Sequence, residues 1–269
     1  MAFSTLPKIG MGTFRLKGND ARDAVKSALS LGYRHIDTAQ MYGNESEVGD
    51  GITSSGIPRR EIFLTTKIWH DRLHRSDLIN SLHDSLARLK TDHVDLTLIH
   101  WPSPGDEVPM AEYLGALRDA QREGLTTHIG ISNFTCAQMD QAKEILGESP
   151  ILTNQVEVHP FLANRKVVDH ARKLGITVTG YMPLAVGKVM EDETLIRIGR
   201  EHNASPAQIA LAWIAARGVV PIPSSTRPQH QKANLDALDI RLSEDEMAEI
   251  DKLDRGERIA NPGFAPAWD

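Results

Sequence analysis

The strongest constraint on this chain is a repeated alternation of two kinds of segment. Short apolar runs at 33–36, 62–66, 94–99, 128–131, 152–156, 176–180 and 219–222 are separated by longer segments at 21–31, 45–54, 76–89, 110–122, 137–146 and 166–173 and by a pair at 193–201 and 206–217. The runs are almost continuously apolar, as strands buried on both faces are. The longer segments have helical spacing: Leu78, Leu82, Leu86 and Leu89 recur every three or four positions and share one face. Asp20 reads as an N-cap, Gly32 and Gly124 close helices, and Ser205 caps a helix that opens on Pro206. A glycine-bearing opening with Gly10 and Gly12 precedes the first unit. A brief helix after Pro228 and an apolar run at 237–240 complete eight strand and helix units.

Parallel strands joined by helices in this way, repeated this often, close into a barrel. The expected fold is therefore α/β, a (β/α)8 TIM barrel forming a single domain over 1–269. A length of 269 residues suits one such barrel. A doubly wound sheet is the competing fold, but its G-x-G-x-x-G fingerprint is incomplete, because Arg15 stands where the third glycine belongs.

Charge and cysteine usage narrow the function. The 30 basic and 36 acidic residues give a net charge of −6 and gather into no long block, so nucleic acid is not an expected partner. Cys136 is the sole cysteine, which excludes an intrachain disulfide and a thiolate metal cluster. The opening MAFSTLPKIGMG lacks the basic and apolar regions of a signal peptide, and the apolar stretch 209–216 is too short to span a bilayer. We expect a cytoplasmic, monomeric protein with no membrane partner.

Chemistry concentrates in the run YRHIDTAQMYGNE that opens at Tyr33. Asp37 stands at the end of the first apolar run, with Tyr42 five residues later. A buried carboxylate is costly unless paired, and the next two apolar runs lead into Lys67 and His100. In a parallel barrel polar residues at strand C-terminal ends face the mouth, where they can converge. The plain alternative is a structural Asp37–Lys67 ion pair with Tyr42 and His100 as filling; each residue alone fits that, whereas four at corresponding strand ends point to a site.

These residues resemble the aldo-keto reductase family. Its Asp, Tyr, Lys and His motif is matched in YRHIDTAQMYGNE, TTKIW and LIHWP, and the likeness continues through HIGISNF, TNQVEVHP, GYMPL and VPIPSST over nearly the whole chain. Within the family the chain is similar to the bacterial diketogluconate-reducing branch, through LTLIHWPSPGDEV and the ending APAWD. The resemblance implies NADPH-dependent carbonyl reduction, with NADH as a possible second donor, and catalytic roles for Asp37, Tyr42, Lys67 and His100. It implies Gly12 and Thr13 along the pyrophosphate, and Ser132, Asn133 and Gln155 at the carboxamide. Tyr181 would lie on the nicotinamide face, followed by Pro183 and Leu184. Ser225, Thr226, Arg227, His230 and Asn234 would take the adenosine phosphate end. Four positions depart from the family pattern: Met182 replaces a serine, Ser224 a lysine, His230 an arginine and Ala233 a glutamate. Phe14, Trp69 and Trp101 would wall the substrate pocket.

In physical terms, a carbonyl needs a hydride, which no side chain supplies, and a proton for the developing alkoxide. A lysine cation beside Tyr42 is expected to lower the phenol pKa. His70 and His74 have helical zinc-ligand spacing, but no HExxH glutamate or third ligand accompanies them, so no metal is expected. A non-catalytic nucleotide sensor would not need all four mouth residues, and a Schiff-base aldolase would need Lys67 neutral. The loop WPSPGDEVP after His100 and the tail after Arg255 are both short. Little lid means little apolar area for a large ligand, so small polar carbonyls are expected: 2,5-diketo-D-gluconate, reduced to 2-keto-L-gulonate, and methylglyoxal-type dicarbonyls. The alternative is a general aldehyde reductase holding aromatic aldehydes between Trp69 and Trp101.

Overall fold

The computed structural model describes residues 5–269. Its eight strands are β1 (Met11–Gly12), β2 (His35–Asp37), β3 (Phe63–Ile68), β4 (Val94–Ile99), β5 (Thr126–Ser132), β6 (Ile151–Glu157), β7 (Thr177–Tyr181) and β8 (Val219–Pro221). They lie in sequence order in one sheet, and every neighbouring pair is parallel. Hydrogen bonds from Gly10 N to Pro221 O and from Gly12 N to Pro223 O, both 3.0 Å, join the last strand to the first and close the ring. A Cβ on Gly12 would lie 2.7 Å from Ile222 O, so the ring closes here only on a residue without a side chain.

Helices α1 (Gly18–Leu31), α2 (Glu45–Ser54), α3 (Arg75–Leu89), α4 (Met110–Arg122), α5 (Cys136–Leu146) and α6 (Arg165–Lys173) each link one strand to the next, and α7 (Glu193–Glu201) and α8 (Pro206–Ala216) together link β7 to β8. Their apolar faces, such as Leu78, Leu82 and Leu86 on α3, pack on the outward residues of the strands, including Ile36, Leu64, Ile99 and Ile129, in one continuous core. A separate inner cluster of Phe63, Leu96 and Leu98 is capped by Leu6 and Leu152. Leu6, which precedes β1, thus reaches the inside of the barrel.

Two expectations are corrected. The run 237–240 is not the eighth strand: it forms a 3-10 turn, Ala237–Asp239, in which Ala237 is buried, and Leu238 and the following Ile240 pack on the core. The missing strand is β1, hidden in the glycine-bearing opening, so Asp37 and Lys67 belong to the second and third strands and His100 directly follows the fourth. Asp20 does not cap α1. The helix begins at Gly18 after Lys17, and Asp20 sits in its first turn. Ser205 does cap α8, accepting from Gln208 N, and Gly32 closes α1 in the left-handed conformation. Two further helices follow β8: α9 (Pro228–Asp236) and α10 (Glu244–Asp251).

Candidate active site

The C-terminal ends of β2, β3 and β4 bring three of the four mouth residues together, and a 3-10 turn, Gln40–Tyr42, adds the phenol. Gln40 fixes that turn: its amide donates to Ser81 O and Ser81 Oγ on α3, and its Oε1 accepts from Trp69 N at 3.2 Å. Lys67 is fully buried. Its Nζ donates to Asp37 Oδ1 at 2.5 Å, to Thr38 O at 2.9 Å and to the Tyr42 hydroxyl oxygen at 3.1 Å. The three donors of an ammonium are thereby used, and the hydrogen of the Tyr42 hydroxyl is left free for another acceptor. Asp37 Oδ2 accepts from Gln155 Nε2 at 2.8 Å, so both carboxylate oxygens are satisfied.

Electrostatics give each group a defined protonation state. Burial pulls the Lys67 ammonium down, but the charge of Asp37 and the Tyr42 oxygen outweigh it, and its pKa stands above the ordinary lysine value. Burial also raises the Tyr42 phenol, and Lys67 offsets only part of that rise. The expected lowering of the Tyr42 pKa therefore does not occur in the free protein, because loss of solvent outweighs the neighbouring cation; Tyr42 keeps its proton at neutral pH. Burial first, then the Lys67 charge and His70, hold His100 well below the usual histidine range. Its imidazole is neutral, lies edge-on to Tyr42 with ring centroids 5.8 Å apart, and has a buried Nδ1 without a partner.

A cleft of about 800 Å³ opens over these groups and runs from Trp69, His100 and Trp101 to Arg227 and His230. It is lined by Asp37, Tyr42 and His100 of the mouth group, and by Gly12, Thr13, Phe14, Asn133, Gln155, Tyr181, Pro183, Leu184, Ser225 and Thr226 among the other expected residues. Asn133 has a positive φ of 63° after β5. From there its Nδ2 donates to His100 O at 3.0 Å, and its Oδ1 accepts from the Tyr181 hydroxyl at 2.8 Å. Ser132 and Asn234 are buried and do not line the cleft; the Ser132 hydroxyl donates to Gln155 O. At the far end Arg227 is exposed, has no ion pair among the described residues and stands immediately before α9, whose first turn faces the same end. His70 and His74 do not converge: His70 packs on Phe264, whereas His74 meets Glu112.

Sequence reasoning missed one wall. Ala260, Pro262 and Phe264 of the C-terminal tail line the cleft, and the Phe264 ring lies 5.9 Å from Trp69 and 5.5 Å from Trp101. The tail reaches over the end of the cleft that Trp69 and Trp101 line. The isolated Phe264 in an aperiodic tail carries no helical or strand signal that could have placed it.

The description "Aldo/keto reductase family" matches residues 8–255 of the chain. The chain belongs to the aldo-keto reductase family. As a member it is an oxidoreductase that works with a nicotinamide cofactor. The chain is 51% identical to methylglyoxal reductase DkgB of Salmonella typhimurium over 98% of its own length and 100% of that protein. A solved structure described as a putative 2,5-diketo-D-gluconic acid reductase B matches with a TM-score of 0.95 and 46% identity, over 98% of this chain and 94% of that one. The Bombyx mori aldo-keto reductase, solved in complex with NADP, matches with a TM-score of 0.90 and 32% identity, over 97% and 95%. The cleft suits such a dinucleotide: bare backbone at Gly12, the Tyr181 ring on one wall, and at the distal end an exposed arginine beside a helix N-terminus.

Proposed function

We propose that the cleft binds NADPH and reduces small polar carbonyl compounds, 2,5-diketo-D-gluconate to 2-keto-L-gulonate and methylglyoxal-type dicarbonyls. The observation that carries this reading is the buried Lys67 ammonium, held by Asp37 at 2.5 Å and set 3.1 Å from the Tyr42 hydroxyl under an open cleft. The bound dinucleotide supplies the hydride. Tyr42 donates its free hydroxyl proton to the carbonyl oxygen, and the Lys67 cation stabilises the phenolate left behind until solvent returns a proton. Asp37 keeps Lys67 charged and in place. Leaving a buried donor unpaired is the costlier arrangement, so the neutral His100 carries its hydrogen on Nε2 and donates it to the same carbonyl oxygen. Trp69, Trp101 and Phe264 exclude water around the reacting carbon.

NADPH is the preferred donor in this reading because Arg227 offers an unpaired guanidinium to a 2′-phosphate. Ser225 and Thr226 add hydroxyls, and His230 stands nearby. The aromatic wall of Phe14, Trp69, Trp101 and Phe264 favours a second reading, a general aldehyde reductase that stacks aromatic aldehydes. Turnover of methylglyoxal, 2,5-diketo-D-gluconate and 4-nitrobenzaldehyde, followed by NADPH oxidation, tests both. Higher kcat/KM for the two dicarbonyls supports the first reading, the reverse order supports the second, and no oxidation with any of them contradicts both.

A further inference from the structure

Glu157 is the last residue of β6 and is fully buried, yet it does not line the cleft. A buried carboxylate must find donors. Its Oε1 accepts from Ile259 N at 2.8 Å and from His159 Nε2 at 2.8 Å, and its Oε2 accepts from Ala260 N at 2.7 Å. Two of its partners are thus successive backbone amides of the C-terminal tail. That tail has no helix or strand after α10, so no ladder of its own holds it. It is tied again at its end, where Asp269 Oδ2 accepts from Cys136 N at the start of α5 and the Arg258 guanidinium stacks 3.7 Å over Trp268. From the first tie onward, Ala260, Pro262 and Phe264 line the cleft.

We propose that Glu157 is a positioning residue for substrate: its buried carboxylate grips the backbone of Ile259 and Ala260 and so sets where the Phe264 wall stands against Trp69 and Trp101. The group acts through the strap and touches neither cofactor nor carbonyl. The inference rests on reading the cleft as the carbonyl-reduction site. Glu157→Gln keeps the shape but replaces one acceptor oxygen by an amide NH2 group, a donor, so one strap amide loses its partner. The strap loosens while Tyr42, Lys67 and the phosphate end stay in place.

Wild-type turnover of methylglyoxal and of 4-nitrobenzaldehyde with NADPH comes first; failure with both would overturn the reading of the site itself, and the aldehyde turned over better is used for the variants. With turnover established, Glu157→Gln is expected to raise KM for the aldehyde about tenfold, leave kcat within about twofold and leave the NADPH Kd unchanged. Phe264→Ala should raise KM to a similar degree, and the double variant should be no worse than the worse single one, since both act on one wall. An unmoved KM, a parallel loss of NADPH affinity, or additive effects would overturn the proposal. Amide hydrogen exchange in the unmutated protein covers the case where Glu157→Gln does not fold. The Ile259 and Ala260 amides should exchange at least about a hundredfold more slowly than that of exposed Gly263, and equal rates would overturn the proposal.

Discussion

At one end of the cleft, Asp37, Lys67 and Gln155 are buried and bonded to one another; at the other, Ser224, Thr226, Arg227 and His230 stand in solvent. The first end carries chemistry that depends on where a proton sits, so its groups are removed from water, and the Lys67 ammonium and both Asp37 oxygens are given fixed partners. In the proposed reading the second end has only to attract an anion, which an exposed guanidinium and a helix N-terminus do without burial. The contrast implies that substitutions at the buried end change rate and folding together, whereas those at the exposed end change affinity alone.

Lys67→Met should break the buried end most severely. It removes the cation that stabilises the Tyr42 phenolate and leaves Asp37 as a buried charge without its counter-ion. Steady-state NADPH oxidation should fall by at least about 10²-fold, and urea unfolding should show a loss of about 3–5 kcal/mol. A variant as stable as the parent would mean that the pair is not buried as described. At the exposed end, Arg227→Ala should weaken NADPH binding roughly ten- to a hundredfold, the value of a charge-assisted contact. NADH affinity, kcat and the unfolding midpoint should hardly move. An equal loss for both cofactors in fluorescence titrations would show that Arg227 does not meet the 2′-phosphate.

A smaller effect sharpens the contrast through pH. His35 lies inside the barrel beneath the buried end, with Nε2 3.1 Å from Thr65 Oγ1, and burial holds its pKa down at about 4. The unfolded chain, with histidine near its usual value, binds more protons between about pH 6.5 and 4. Stability from this residue is complete above that window and falls as pH drops through it. Unfolding measured at pH 7 and 5.5 should differ by roughly 1 kcal/mol from His35, while NADPH binding to the folded protein should show no inflection from it. NMR titration of the His35 ring with a midpoint near 6.5 would contradict this.

Legibility in the sequence followed the same divide. The strands β2 to β8 were readable because each is an apolar run that ends in a polar loop, and the mouth residues were readable because they stand at those ends. The first strand was not, since β1 is two residues long and takes its place from hydrogen bonds to Pro221 and Pro223. The run 237–240 misled because a short buried turn is as apolar as a strand. The helix α10 was overlooked although Ser243 and Glu246 form a capping box at its start. The tail over the aromatic end of the cleft was illegible for a different reason: its amides bond to a carboxylate about a hundred residues away, and no local pattern encodes such a contact.

In the proposed mechanism Tyr42 gives the carbonyl its proton from a site that Lys67 and Asp37 hold ready. Tyr42→Phe tests it most directly, because it deletes one oxygen and keeps the ring on which the cleft packs. NADPH affinity, read by fluorescence titration, should stay within about twofold while methylglyoxal turnover falls by roughly 10²–10⁴. Turnover near that of the parent, with the cofactor still bound, would contradict the claim.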